Sequence, residues 1–441
     1  MTQRGGTHMR QAMRARIAGL WSGVVFGVLV SACGPVSEDM ALERELEGGP
    51  VETVEAALTR HAPLPPPRPT ALLGPKVAYG GGKYLVVWQD VRDGGIYGAR
   101  MKPDGTLLDP EGLRLNTHPE RDFGRTPNVA FDGKDFVVVW DSTDGVDGTR
   151  LAPNGAGPGP VFTVISSGEV AGDVGIACSR KLCLVTFNVS SDEGSDIGGL
   201  RIGPDGSRLD EFVIFISDVT VTGESAVAWN GKEFLVVWTD SHGGVDTPDI
   251  FGARVKEDGT LLERGGFPIG AAPGMQQTPA VTWTGRRFLV VWGDMRGGTD
   301  WDVFGARVRS DGRVDDPEGI PISTAPGDQR FPGVAHHNSK SLVVWDDTRA
   351  GPHRVWGARV EEDGDVRDPG GFAISGGELL NEFRPAVAYG NNQFLVPYGA
   401  SSVAGEPFSP NFILGRRVKH DTRVLDTPAL VFTRSTTTTT K

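Results

Sequence analysis

The sequence predicts an all-β fold, a seven-bladed β-propeller with four antiparallel strands per blade, and three observations carry this prediction. A unit of about fifty residues recurs seven times, and a Gly-Xaa-Arg step occurs in every copy. Each copy is made of short runs rich in Val, Phe, Trp and Leu, separated by Gly, Asn and Asp. Such runs are typical of strands, and four strands at this period are typical of a propeller blade.

One copy shows the four strands most clearly, as the runs 279–283, 288–292, 303–308 and 319–323. The second run is apolar at every position, which predicts a strand buried on both faces. Asp-Gly and Asn-Gly steps between the runs favour tight hairpin turns. Seven such units suit a closed ring, and six blades plus one irregular unit is the alternative.

The arginine of the Gly-Xaa-Arg step is the most regular residue of the repeat. An arginine within a strand is costly to bury without a partner. We therefore expect it to reach a carboxylate or loop carbonyls and so to lock each blade; an anion-binding ring of arginines is the alternative. The seven residues are Arg100, Arg150, Arg201, Arg254, Arg307, Arg359 and Arg417.

Four copies carry an aspartate two residues after the tryptophan of the second strand, whereas the other three carry Ser142, Val189 and Ala400. A ligand or cation rim is one interpretation of these acids. We favour a structural role, in which each aspartate pairs with a nearby basic residue such as the Gly-Xaa-Arg arginine, because a repeated position usually serves the fold. The four are Asp90, Asp240, Asp294 and Asp347.

Two cysteines of the third copy replace an aromatic pair found in other copies. Cys178 and Cys183 occupy positions that face each other across the first hairpin of the blade. A disulfide is geometrically plausible there and would form only outside the cytosol. Two buried thiols are the alternative.

The N-terminus has the pattern of an export signal, with several arginines followed by an apolar stretch at 17–30 that is too short to span a membrane stably. The sequence then reads Val30-Ser-Ala-Cys33, which resembles the lipobox of bacterial lipoproteins. The resemblance implies that residues 1–32 are removed and that Cys33 carries acyl chains such as palmitate, which anchor the protein in a membrane. Residue 34 is Gly rather than the Asp that commonly retains such proteins at the inner membrane, so we expect the outer membrane. An ordinary signal peptide with a chance cysteine is the alternative.

The rest of the chain divides into three parts. Residues 33–74 are acidic and proline-rich and predict a tether, residues 75–433 hold the seven repeats, and residues 434–441 are a threonine-rich tail that cannot build a core. The repeat motif Phe-Leu-Val-Val-Trp-x-Asp-x-Arg, followed by Asp-Ile-Phe-Gly-Ala-Arg-Val-x-x-Asp-Gly, is similar to a repeat of secreted and lipoprotein chains of myxobacteria and related bacteria. That resemblance implies a propeller outside the cytoplasm, but no activity and no catalytic residues.

Composition and motifs narrow the function to a class. The net charge of −12 disfavours nucleic acid as a partner, and we find no catalytic constellation, no metal-ligand spacing and no cofactor motif. The leading hypothesis is a non-enzymatic binding or scaffolding module at the outer membrane, which engages a protein or an envelope glycan through the loops near 241–248 and 401–410. The rival is a hydrolase or lyase acting on polysaccharide, which requires clustered acids from different blades at the centre of the ring. A purely structural spacer is a third interpretation.

Overall fold

The structure is a computed structural model that describes residues 74–90, 93–117, 124–166, 170–191, 194–217, 221–241, 247–401 and 412–433. The predicted export signal, the lipidation site Cys33, the tether up to residue 73 and the tail at 434–441 lie outside the described residues. Within the described part of the chain, no helix is long and apolar enough to cross a membrane.

The first four blades follow one another along the chain. Blade 1 contains β1 Lys76–Gly80, β2 Lys83–Asp90, β3 Gly95–Met101 and β4 Leu113–Arg114. Blade 2 contains β5 Gly124–Phe131, β6 Phe136–Ser142, β7 Gly145–Leu151 and β8 Phe162–Ser166. Blade 3 contains β9 Val170–Cys178, β10 Cys183–Ser191, β11 Gly194–Ile202 and β12 Ile214–Phe215. Blade 4 contains β13 Val221–Trp229, β14 Glu233–Asp240, β15 Asp249–Lys256 and β16 Phe267–Gly270.

The last three blades complete the ring. Blade 5 contains β17 Gln276–Trp283, β18 Arg287–Asp294, β19 Asp302–Arg309 and β20 Ile320–Ser323. Blade 6 contains β21 Gln329–His337, β22 Lys340–Asp347, β23 Arg354–Glu361 and β24 Phe372–Ala373. Blade 7 contains β25 Asn381–Phe383, β26 Ala388–Gly390, β27 Gln393–Ser401, β28 Phe412–Val418 and β29 Leu430–Val431.

Each blade is one antiparallel sheet in which the strands pair in chain order. The second strand is buried along nearly its whole length, as in β14, because it is covered by the blades on both sides. Blade 7 has five segments because its first strand is divided into β25 and β26, which both pair with β27. The prediction of a seven-bladed propeller is confirmed, and the seventh unit is a complete blade rather than an irregular appendage.

The ring closes through packing between blades 1 and 7. Tyr84 and Trp88 of blade 1 share one apolar cluster with Leu395 and Phe432 of blade 7. The Tyr84 hydroxyl also donates a hydrogen bond to the Gly390 carbonyl at 2.6 Å. Closure therefore depends on side chains, because no strand of blade 1 belongs to the sheet of blade 7.

The predicted disulfide is present in blade 3. Cys178 and Cys183 are direct partners across the hairpin between β9 and β10, with their Cα atoms 4.0 Å apart, and their sulfur atoms are bonded.

Candidate functional site

Six of the seven Gly-Xaa-Arg arginines bind a carboxylate that lies nine residues later in the same blade. Arg307 donates through Nε and Nη2 to the two oxygens of Asp316, at 2.8 Å each. Its Nη1 atom donates to the Glu362 carbonyl of the next blade at 3.2 Å. The six pairs are Arg100–Asp109, Arg201–Asp210, Arg254–Glu263, Arg307–Asp316, Arg359–Asp368 and Arg417–Asp426.

These contacts form a clamp between neighbouring blades, since each arginine reaches the turn between the third and fourth strands of the following blade. In blade 7 the following blade is the first one, and Arg417 donates to the Pro103 carbonyl at 2.8 Å. The guanidinium groups of the six arginines are engaged by their own carboxylates and carbonyls. They do not gather into one anion-binding ring. The carboxylate nine residues on is a repeated feature that the sequence analysis missed.

Arg150 is the exception, because Gly159 stands where the other copies have an acid. Its ion-pair partners are Asp132 and, at 3.7 Å, Asp135. Burial lowers the pKa of Arg150. In this blade, carboxylates from the turn between the first two strands take the place of the acid nine residues on.

Two of the repeated aspartates each accept hydrogen bonds from a tryptophan and an arginine side chain. Asp294 accepts a hydrogen bond from the Trp292 indole at 2.8 Å and two from the Arg296 side chain, at 2.9 and 2.7 Å. Asp347 binds its own tryptophan and arginine in the same way. For Asp294 and Asp347 the expected pairing with a nearby basic residue is present, and the basic residue is the arginine two positions on. It is not the Gly-Xaa-Arg arginine, which in these blades binds the acid nine residues on.

All four repeated aspartates are buried. Asp90 is 4% exposed, and Asp240, Asp294 and Asp347 are at most 1% exposed. Asp240 accepts a hydrogen bond from the Trp238 indole at 2.7 Å. A ligand at the rim of the ring would not reach these carboxylates.

The first strands of the seven blades form the innermost layer of the ring, and each contacts the first strand of its neighbour. They surround a central cavity of about 290 Å³, which we call the axial cavity. Every blade contributes to its wall. The lining residues are 74–77, 126–128, 173–174, 224–226, 278–281, 331–334 and 384–387.

One column of the repeat faces this cavity and differs from blade to blade. Its members each lie one residue before a position that is proline in five copies. The column that follows it is proline in five copies, whereas this one holds glycine, hydroxyl, acidic, aromatic and basic residues. The axial column consists of Gly74, Thr126, Asp173, Glu224, Thr278, Phe331 and Arg384.

The backbone of the axial column is strained in four blades. Thr126, Thr278, Phe331 and Arg384 have φ angles between 39° and 55°, in the left-handed region. Residues other than glycine seldom adopt this conformation, and each instance costs on the order of 1–3 kcal/mol. Such strain is characteristic of functional sites, where the surrounding structure holds it in place.

The cavity contains four charged side chains, and they are divided by sign. Asp173 and Glu224 come from the adjacent blades 3 and 4, whereas Lys76 and Arg384 come from the adjacent blades 1 and 7. Among the described residues, none of the four charged groups has a hydrogen-bond or ion-pair partner. Arg384 does stack on the Phe331 ring at 4.4 Å. This arrangement contrasts with the clamps, where every carboxylate binds an arginine.

The surroundings of Asp173 raise the pKa of its carboxyl group. Burial, and then the charge of Glu224, raise its pKa to about 6, and Asp141 adds a smaller increase, whereas Lys76 and Arg384 lower it. The pKa of Asp141 is likewise raised to about 6, chiefly by burial. An acid at the centre of the ring therefore titrates close to neutral pH.

Replacing Asp173 by asparagine will stabilise the protein at about pH 8 but not at about pH 4. The folded pKa of about 6 lies above the ordinary value of 3.8, so the folded state holds this proton more tightly than the unfolded state. The contribution of Asp173 to the stability of the wild-type protein thus falls as the pH rises from its unfolded to its folded pKa. Asparagine cannot ionise and does not lose this contribution. We expect Tm to rise by about 2–4 °C at the higher pH.

The matched control is Glu111→Gln, which removes a carboxylate at an exposed position. Thermal unfolding of both variants at the two pH values tests the prediction. An Asp173→Asn effect that is the same at both pH values would contradict it.

The sequence analysis missed the axial acids, since each occurs in a single copy and neither belongs to a known motif. The irregularity of the axial column within an otherwise regular repeat was the available signal. Residues 242–246 and 402–410, which belong to the two loops where the sequence analysis expected recognition, lie outside the described residues. That expectation stays a prediction.

No protein-family model matches the chain, and no curated protein matches it. Among solved structures, it is similar to a thermostable family-43 glycoside hydrolase at 10% identity and a TM-score of 0.40, over 60% of this chain and 94% of that chain. It is similar to the Aleuria aurantia lectin in complex with α-methyl-L-fucoside at 14% identity and a TM-score of 0.45, over 85% and 99%. A prolyl endopeptidase matches at 12% identity and a TM-score of 0.47, over 82% and 50%. These similarities assign no ligand and no activity to this chain.

Proposed function

We propose that this chain is a non-enzymatic binding module of the cell envelope, anchored in the outer membrane by a lipid on Cys33, and that its ligand enters the axial cavity. The observation that carries the proposal is the set of four charged side chains on the cavity wall, which have no hydrogen-bond or ion-pair partner within the part of the chain that the structure describes. The lipobox at Cys33 and the export signal support the location.

The propeller fold itself does not require these charges. Three of them, Asp173, Glu224 and Arg384, stand in the axial column, where other blades carry Gly74, Thr126 and Thr278 and close equally well. Bringing like carboxylates together in a partly buried wall is unfavourable for stability. A ligand that pairs with the charges would recover this free energy on binding.

The size of the cavity limits what can enter it. Its volume of about 290 Å³ corresponds to roughly ten water molecules at about 30 Å³ each. A folded partner would need about 800 Å² on each side for a stable interface, which a cavity of this size does not provide. We therefore favour an envelope glycan, or the end of one, over a protein face as the ligand.

A binding experiment tests the proposal directly. Mature lipidated protein in detergent micelles is immobilised and exposed to fluorescently labelled polysaccharide released from the envelope. The Asp173→Asn, Glu224→Gln double variant should retain at least about tenfold less polysaccharide, since losing about 1.4 kcal/mol of binding free energy is enough for that reduction. Glu111→Gln, at an exposed position away from the cavity, is the matched control. Equal retention by all three proteins would rule out the cavity as the ligand site.

A polysaccharide hydrolase or lyase is the second candidate, because the axial cavity holds two carboxylates from different blades. Asp173, with its pKa of about 6, would act as the proton donor and Glu224 as the second acidic residue, since most glycan-cleaving enzymes use a pair of acids. Incubation of the same polysaccharide with wild-type protein, followed by assays for new reducing ends and for unsaturated products, separates the candidates. Product that disappears in Glu224→Gln would establish the enzyme and overturn the non-enzymatic proposal.

A further inference from the structure

We infer that the axial cavity selects zwitterionic ligands, meaning molecules or chain ends that carry a protonated amine and a carboxylate. The inference rests on the proposed function of the cavity as a ligand site. It specifies the chemistry of the ligand from the placement of charge around the ring.

The first step is the position of the charges. Blades 3 and 4 supply Asp173 and Glu224, and blades 7 and 1 supply Arg384 and Lys76. In a ring of seven blades, the boundary between 3 and 4 is three blades from the boundary between 7 and 1 in one direction and four in the other. The acidic and basic sides therefore face each other across the cavity.

The second step is that the rest of the cavity wall is uncharged. Its remaining residues are glycine, proline, small aliphatic and hydroxyl residues, one asparagine and Phe331. Close to the acidic side, Asp141 adds negative potential to Asp173, and Arg125 partly opposes Asp141. No other charged side chain among the described residues lines the wall, so a ligand meets one acidic and one basic side.

The third step is what each ligand class would leave unsatisfied. A ligand with a single charge pairs with one side of the cavity and displaces water from the other, whose charges then lack both water and a partner. A binding site discriminates effectively against a ligand that leaves one of its charged or polar groups unpaired, because that ligand binds more weakly. A zwitterion of the right length pairs with both sides.

The basic side is also partly preorganised. Arg384 is stacked on Phe331, and a side chain on Gly74 would bring a Cβ to 2.9 Å from the Cβ of Arg384. Glycine at position 74 therefore avoids a steric clash with the Arg384 side chain in the cavity wall. A guanidinium held in this way is suited to bind a carboxylate through two parallel hydrogen bonds.

Titration calorimetry with mature lipidated protein in detergent micelles tests the inference. The probes are β-alanine, γ-aminobutyrate and ε-aminocaproate, with hexamethylenediamine and adipate as controls that carry two like charges at similar length. One ω-amino acid should bind at least about tenfold more tightly than both controls. Controls that bind as tightly as every ω-amino acid would overturn the inference.

A charge reversal provides the sharper variant. In Glu224→Lys the acidic side loses its excess of negative charge, so the preference should move from the ω-amino acid to adipate by at least about tenfold. Glu111→Lys, an exposed position, makes the same change in net charge and should leave the preference unchanged. Unfolding by urea, measured for each variant, shows whether the propeller is intact; an intact Glu224→Lys variant with unchanged preference would also overturn the inference.

Two further arms identify the source of the zwitterion and separate the two proposals. Triglycine should compete with the best probe if the natural ligand is a peptide end. Envelope polysaccharide should compete, and lose this ability after acetylation of its amines, if the ligand is a glycan. If polysaccharide binds through the cavity while no ω-amino acid binds, the inference that the cavity selects zwitterionic ligands is overturned. The proposed function as a ligand site then still stands.

Discussion

Replacing Asp109 by alanine will destabilise the propeller by about 3–5 kcal/mol, the usual cost of removing one partner from a buried ion pair. Asp109 and Arg100 are each 7% exposed at their side chains, the most buried of the clamps. Asp109 accepts hydrogen bonds from Nε, Nη2 and the backbone N–H of Arg100, at 2.8, 2.8 and 2.9 Å. Alanine would leave the guanidinium buried without a carboxylate between blades 1 and 2.

Glu263→Ala is the matched control for this prediction. It removes the equivalent acid of blade 4, but Arg254 keeps a second carboxylate, Glu233, at 3.2 Å. We therefore expect a clearly smaller loss. Equilibrium urea denaturation of both variants gives the two free energies of unfolding. An Asp109→Ala loss no larger than the Glu263→Ala loss would show that a guanidinium without a carboxylate is not the cause of the destabilisation.

Replacing Asp294 by alanine will cost about 2–4 kcal/mol, because it leaves a partly buried cation and a buried indole N–H without their acceptor. The carboxylate is fully buried between Trp292 and Arg296. Arg296 would keep its stacking on Phe304, at 3.8 Å, and its hydrogen bond to the Glu318 carbonyl. Those contacts hold the arginine in place without the carboxylate that accepts its Nε and Nη2 hydrogen bonds.

Ser142→Ala is the control in the same column of the repeat. Ser142 makes one hydrogen bond, from Oγ to the Gly145 carbonyl at 3.2 Å, and its loss should cost about 1 kcal/mol. The Asp294→Ala protein that remains folded should bind the best axial probe as tightly as wild type does. A large loss of binding with little loss of stability would favour the rim-site interpretation of these aspartates.

The fold could be predicted from the sequence because each blade is built from local information. The apolar runs, the Asp-Gly turns and the Gly-Xaa-Arg step all lie within about fifty residues of each other, and strand pairing within a blade follows chain order. The Cys178–Cys183 disulfide was also predictable from local sequence, since the two residues are neighbours across one hairpin.

The clamps were predictable only in part. The acid nine residues after each arginine is visible in six copies of the sequence, and it could have been found by comparing the columns of the repeat. The second partner was not visible, because the carbonyl that Arg307 reaches belongs to the next blade. Its position depends on how two sheets pack face to face.

The sequence by itself determined the repeat, the strands and the turns, whereas the structure showed that the seventh unit is a complete blade. Tertiary structure alone decided which side chains meet at the centre: Lys76 and Arg384 are about three hundred residues apart in the chain, yet both line the axial cavity opposite Asp173 and Glu224. The physical reason is closure. Apolar packing between blades 1 and 7 bends a linear array of blades into a ring, and only the ring brings the irregular column of every blade to one axis.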